Sequence, residues 1–400
     1  MLLKDTLKIV ANDQRKQIES IAIGIERAAL KCVGMKLPQA AIISGIRRCG
    51  KSTLLRQIMK MYKNFYYFNF EDQRITGFDV SDYEKLDDVL HEEFGQCKLY
   101  FFDEIQNVPE WERFVRKKQD EGNKFVITGS NASLLSRELG TRLTGRHITY
   151  ELFPFSYTEM LAFCSLKPST SSFEEYMKNG GFPEFLKYKK AEILQNLFND
   201  IIMRDIVVRY GIREAKIIKE MAIFLLSNIG KEFSYTSLAK TFNLGSTNTA
   251  VSYVSYFEDS YFMFTVPRFD YSYKKQIVNP KKIYCIDSGM VNANSVSLSE
   301  DFGRVLENVI FMALRQKYKS IFYFKKKCEC DFLIKDKGKI IKAVQVCYSI
   351  TEDNKEREIS GLQEAMKELK LKKGTIVTLN QDDKIGGIDV KPAWKFLLEL

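Results

Sequence analysis

Apolar positions recur along the chain in two rhythms: short unbroken runs ended by polar residues, and longer stretches at helical spacing. The runs Ala40-Ala41-Ile42-Ile43, Phe65 to Phe70, Lys98 to Phe102, Lys124 to Ile127 and His147 to Phe153 are rich in β-branched and aromatic residues, and predict buried strands. Between them, Leu54 to Tyr62, Asp82 to Phe94 and a stretch from Pro109 to about Lys118 predict helices, Pro109 suiting a first turn. Alternating strands and helices over residues 1–165 predict an α/β domain with a parallel sheet. Upstream, Ile18, Ile21, Ile23, Ile25, Ala28 and Ala29 predict a helix from Gln14 to Leu30 that leads into the first strand.

Beyond residue 165 the rhythm changes. The polar stretch Cys164 to Ser172 predicts a flexible connection. Residues 172–230 predict helices, Ala191 to Val208 and Glu214 to Ser227 among them, forming a helical lid over the preceding domain. Between those two, Arg204, Asp205 and Arg209 are expected as surface ion pairs. Residues 231–300 run helix (Tyr235 to Lys240), glycine turn (Asn243 to Ser246), helix (Thr247 to Glu258), strand (Tyr261 to Val266), the order of a winged helix. In residues 301–400, a helix opening at Gly303 precedes strands at Ile321–Phe324, Cys330–Ile334 and Ala343–Cys347.

The chemistry concentrates where the first strand ends. Gly45-Ile46-Arg47-Arg48-Cys49-Gly50-Lys51-Ser52-Thr53 is a glycine-bracketed loop opening a helix. Its backbone N–H groups and the helix N-terminus suit a triphosphate, Lys51 adds a mobile charge, and the Ser52 hydroxyl suits Mg2+. About fifty residues on, the strand ending Phe102-Asp103-Glu104 supplies Asp103 for Mg2+ and Glu104 to activate water. Ser130 and Asn131, after the next strand, are placed to sense a γ-phosphate or orient the attacking water, with capping of a helix from Ala132 as the rival reading. Arg142 and Arg146 are expected to neutralise transition-state charge, within one subunit or across a subunit interface. The polar tip Glu71 to Arg74 is expected on the nucleotide side.

These motifs, with Phe102-Asp103-Glu104-Ile105-Gln106, Thr128-Gly129-Ser130-Asn131, Gly145-Arg146, Pro154-Phe155-Ser156 and Gly180-Gly181-Phe182-Pro183-Glu184, resemble a group of archaeal and bacterial AAA-superfamily ATPases. In that group an ATPase domain precedes a domain of unknown function. The resemblance covers nearly the whole chain and implies an AAA-type P-loop core using ATP and Mg2+. The C-terminal hundred residues also resemble the restriction-endonuclease core. There Glu307 and Asp331 fit the first two acidic positions, while Gln345 and Cys347 replace the Glu and Lys, so an inactive nuclease-like fold is expected.

Composition narrows the partners. With two histidines in 400 residues, His-based metal sites and nucleophile–His dyads are almost excluded. Eight scattered cysteines lack zinc spacing and read as buried thiols. No apolar run approaches the roughly 18 residues of a membrane helix, and charges break the N-terminus, so a cytoplasmic protein is expected. The net charge of +10 permits nucleic acid. If DNA binds, Ser246 to Thr249 would face a groove and phosphate contacts are expected chiefly from Arg268, Lys274, Lys275, Lys281 and Lys282, although such domains also serve protein contacts alone. The leading expectation is an ATP-hydrolysing switch coupled to DNA or a protein partner. Its alternatives are a DNA-binding regulatory or defence module with negligible turnover, and a metal-dependent nuclease.

Overall fold

The computed structural model describes residues 1–34, 37–129, 143, 145–296 and 301–400, and divides into two compact units, 1–152 and 153–400. The first unit thus ends thirteen residues before the expected boundary at 165.

Its centre is a parallel five-stranded sheet in the order β2-β3-β4-β1-β5: β1 (Ala40–Ser44), β2 (Tyr66–Asn69), β3 (Leu99–Asp103), β4 (Lys124–Gly129) and β5 (His147–Glu151). β1 and β3 are buried along their whole length, which is why they read as unbroken apolar runs. The aromatic density of β2 and β3 builds one continuous core. Tyr100 stacks on Phe125 with ring centroids 4.8 Å apart, Phe70 meets Phe102 edge-on at 5.1 Å, and Phe114 of helix Trp111–Asp120 closes the layer.

The N-terminal helix differs from expectation. It spans Lys4–Ser20, and Leu7, Val10, Ala11 and Gln14 form its buried stripe. Residues 21–27 carry isoleucines, yet they run as a non-helical strap. Gln57, from helix Lys51–Met59, holds that strap by donating to the Ile25 carbonyl and accepting from the Arg27 N–H.

In the second unit, the expected flexible connection at 164–172 is a packed turn. Ser169 caps helix Thr170–Asn179, and buried Ser172 bonds the Tyr157 hydroxyl at 2.7 Å and the Lys167 carbonyl at 2.8 Å. Helix Ala191–Asp200 continues as a π-helical stretch, Ile201–Val208, in which Asp205 is buried rather than on the surface.

Helix Ala215–Leu226 leads to β6 (Glu232–Phe233), helices Tyr235–Thr241 and Thr247–Asp259, β7 (Met263–Pro267), helix Tyr273–Val278 and β8 (Lys281–Cys285). Their antiparallel sheet has the order β6-β8-β7. Helix Phe302–Lys317 precedes a six-stranded sheet ordered β13-β14-β12-β11-β10-β9, made of β9 (Ser320–Lys325), β10 (Glu329–Asp336), β11 (Lys339–Val346), β12 (Gly374–Thr378), β13 (Asp383–Ile385) and β14 (Ile388–Pro392). Helix Glu352–Glu368 packs on it.

The glycine motif at 180–184 is part of the unit's framework. Gly181 donates its N–H to Asp287 Oδ2 at 2.6 Å, and its carbonyl accepts from Phe155 N at 2.8 Å. A Cβ on Gly181 would collide with the Phe155 backbone, and one on Gly180 with the Asp287 carboxylate.

Candidate nucleotide-binding site

β1 delivers the chain into the loop 45–50, and Gly50, at φ +100°, turns it into helix Lys51–Met59. Only glycine enters that region without strain, and Arg48, at φ +61°, is a non-glycine exception within the loop. The loop is pinned from two sides. On one, Leu152 N donates to the Ser44 carbonyl at 2.7 Å, and the Leu152 carbonyl sits so close to Gly45 that a Cβ there would overlap it. On the other, buried Arg27 donates through Nη1 to the Cys49 carbonyl at 2.8 Å. Cys49 is buried beneath the loop, and burial pushes its thiol above the ordinary pKa, so it is a packing group.

Lys51 is 4% exposed, and its Nζ donates to the carbonyls of Gly45 and Ile46, each at 3.2 Å. Its ammonium lies 3.8 Å from Glu104 Oε1. Asp103, at the end of β3, accepts hydrogen bonds from the hydroxyls of Thr128 and Ser52. Burial, with the neighbouring Glu104 charge, still pushes its carboxyl up to about 6. A hydroxyl and a crowded carboxylate side by side form a pair that gains from a hard cation, so Ser52 and Asp103 fit Mg2+.

Glu104 is held in a left-handed conformation (φ +51°), its N–H donating to Thr128 Oγ1 at 3.0 Å and its Oε2 accepting from Gln106 Nε2. Ile46 is buried in the loop wall, Arg47 lies 3.9 Å from Glu71, and Thr53 accepts from Arg56 at 3.2 Å. Asp72 and Arg74, at the polar tip, instead bind each other and the N-terminal helix, with Arg74 2.7 Å from Asp13 and Asp72 accepting from Gln14 at 3.3 Å.

Ser130, Asn131 and Arg142 lie outside the described residues. The position of Arg146 is a correction. It precedes β5, whose His147 pairs with Ala40 at the start of β1, so it stands at the opposite end of the sheet from the phosphate loop, about 15 Å away by strand length. Its guanidinium pairs with Asp120 and its carbonyl accepts from Ala40 N at 2.9 Å. Neither interaction leads to a phosphate bound within the same chain.

Lys282, expected to touch DNA phosphate, is 3% exposed and points into the protein, and Arg268 donates to the Lys325 carbonyl. Arg27, Gln57 and Leu152 escaped sequence reasoning because Arg27 and Leu152 hold the loop and its strand, and Gln57 holds the strap, by bonds to backbone groups, which leave no pattern of residue types. Thr128 stood within a quoted motif, and its place one strand over from Asp103 could have flagged it.

Among the described residues no helix is long and apolar enough to cross a membrane. Residues 38–161 match the AAA domain family, and residues 170–300 match a domain of unknown function (DUF8612). The chain is 37% identical over 393 residues to the uncharacterized protein MJ1544 of Methanocaldococcus jannaschii, covering 89% of this chain and 88% of that protein. It is 29% identical over 340 residues to an uncharacterized protein of Haemophilus influenzae, covering 79% and 84%. Among solved structures, the Walker-type ATPase PABY2304 of Pyrococcus abyssi matches with 15% identity and a TM-score of 0.41, covering 66% of this chain and 93% of that one. The chain belongs to the family of P-loop proteins in which an AAA ATPase domain is followed by a C-terminal domain of unknown function.

Proposed function

We propose that the protein binds ATP with Mg2+ on the loop 45–53 and hydrolyses it, using the cycle as a switch. The observation that carries this reading is the placement of Glu104. It is fixed through Thr128 and Gln106, has one carboxylate oxygen 3.8 Å from the Lys51 ammonium, and adjoins Asp103. On binding, the loop N–H groups and Lys51 hold the phosphates, the Lys51 ammonium exchanging its carbonyl partners for phosphate oxygens. Ser52 and Asp103 hold Mg2+, which neutralises phosphate charge. Glu104 orients the attacking water and accepts its proton.

Replacing Glu104 with Gln keeps the shape and removes the base. ATP affinity should stay within a few-fold of wild type while turnover falls about 10²- to 10⁴-fold. Wild-type turnover in the variant would overturn the assignment of Glu104, and a wild type that binds ATP without turning it over would favour the regulatory alternative.

The second unit is proposed to read the switch. Helix–strand–helix–helix–strand–helix–strand with sheet order β6-β8-β7, the short helix Tyr273–Val278 lying in the wing between β7 and β8, supports a winged helix at 215–285. Beside helix Thr247–Asp259 lies a cleft of about 610 Å³ lined by Tyr235, Val251, Tyr273, Ile277 and Lys281. Tyr273 and Val278 are strongly exposed there, and of the five basic residues expected to meet phosphate only Lys274 and Lys275 face outward fully. That balance favours a protein segment of apolar and acidic character over duplex DNA. Duplex binding with a steep salt dependence, together with stimulated ATPase, would reverse the preference.

A further inference from the structure

Helix Phe302–Lys317 and strands β10 and β11 bring Glu307, Glu329, Asp331 and Gln345 together, and the point on which the carboxylates converge holds a cation from the protein itself. Lys282, on the central strand of the three-stranded sheet, places Nζ 3.0 Å from Glu307 Oε1, 3.0 Å from Asp331 Oδ1 and 2.8 Å from Glu329 Oε1. An ammonium has three N–H donors, and three carboxylate oxygens receive them. Tyr284, two residues along and therefore on the same face of β8, donates to Glu307 Oε1 at 2.5 Å.

Asp331 and Gln345 are engaged further. Asp331 Oδ2 accepts from Val346 N at 3.0 Å. Gln345 accepts from Asp331 N at 3.2 Å and donates to Glu358 at 2.8 Å. The β9–β10 register shifts between Cys330 and Leu333, a bulge that bears on the setting of Asp331. Burial works against the ammonium charge, but Tyr284, Asp331, Glu307 and Glu329 outweigh it and hold the Lys282 pKa well above its ordinary value. Among the described residues, no group of three or more His, Cys, Asp or Glu is set to hold a metal.

We propose that Lys282 fills the cation position of this acidic constellation, turning what would be a divalent-metal site into a sealed joint between the three-stranded and six-stranded sheets. Other contacts reinforce the joint. Asn308 bonds both backbone groups of Cys285 at 2.8 and 2.9 Å. The Tyr323 hydroxyl donates to the Pro280 carbonyl at 2.8 Å, and Lys325 pairs with Glu232 at 2.9 Å. Gln345 fits this role, since a fourth carboxylate would add negative charge where three carboxylates already share one lysine.

The probe is Mn2+, titrated into nucleotide-free full-length protein and followed by loss of the free-ion resonance. Wild type and Asp331→Asn should take up the same amount. Lys282→Ala should take up one equivalent more, about tenfold tighter than any wild-type uptake, and lose it when Asp331→Asn is added. Wild-type uptake that falls with Asp331→Asn would show that the lysine yields to metal and would overturn the proposal. So would a folded Lys282→Ala that gains no Mn2+. If Lys282→Ala or Asp331→Asn does not fold, wild type against Glu329→Gln, at a partly exposed carboxylate, decides by the same criterion.

Discussion

Thr128 offers a sharp test of how the first unit's acids are held. It is fully buried on β4, and its single hydroxyl both donates to Asp103 and accepts from the Glu104 N–H. Valine keeps the shape and removes both bonds. A hydrogen bond to a buried charged group contributes roughly 1.5–3 kcal/mol, and an N–H left without a partner costs about 1–3 kcal/mol. The two share one hydroxyl and do not simply add, so a loss of about 3 kcal/mol is expected for the first unit. The bond also secures Glu104 in a left-handed conformation that itself costs about 1–3 kcal/mol. Freed of it, Glu104 relaxes away from the nucleotide, and a shift of about 1 Å is enough to lower turnover about 100-fold. Stability is read from buried Trp111 in a Trp394→Phe background, which isolates the first unit because the chain has only two tryptophans. The kinetic signature is a fall in kcat with the KM for ATP little changed, largely restored by Thr128→Ser. A Thr128→Val protein that matches wild type in unfolding midpoint and kcat, or that changes KM alone, would refute the reasoning.

Two further predictions follow from buried charges. Arg27→Met removes the bond to the Cys49 carbonyl, and the loosened loop should bind ATP about tenfold more weakly by calorimetry, at the lower end of what a charged hydrogen bond contributes; unchanged affinity would contradict the bracing role. Burial lifts Asp287 from 3.8 to about 6. A raised folded-state pKa means that its stabilising contribution is complete below pH 4 and is lost as pH rises through 6, so wild type should lose about 3 kcal/mol of second-unit stability between pH 4 and 7 that Asp287→Asn does not lose. Parallel urea midpoints for the two proteins across that range would rule this out.

How much of this could be read from the chain alone depended on whether side chains or backbone carried the information. β1, β3 and β4 were legible because parallel strands buried on both faces need continuous apolar residues, and the phosphate loop because its glycines and Lys51-Ser52 are residue types the chemistry requires. The strap at 21–27 was misread as helix because its isoleucines happen to fall near helical spacing, while the true helix begins amid charges at Lys4. The turn at 164–172 looked loose because serines are common in loops. Here Ser169 and Ser172 spend their hydroxyls on capping and on Tyr157. Arg146 was placed beside the nucleotide by its nearness in sequence to β5. A parallel strand carries its start to the far end of the sheet, and only the pairing of His147 with Ala40 reveals that.

Lys282 shows why a basic residue cannot be assigned to a partner from composition. On a strand, residues alternate between faces, so of the adjacent pair Lys281 and Lys282 one turns out and the other in. Lys281 reaches the carbonyls of Gln276 and Ile277 at the edge of the cleft, while Lys282 enters the acidic cluster. Pulling the two sheets apart would strand three carboxylates and an ammonium, and breaking one buried pair alone costs about 3–5 kcal/mol. The proposed lysine joint would therefore tie the segment from β6 to β14 into one body. A ligand in the cleft beside helix Thr247–Asp259 would then be tied to the six-stranded sheet through Lys282, the strand neighbour of cleft residue Lys281 and the cation of the proposed joint.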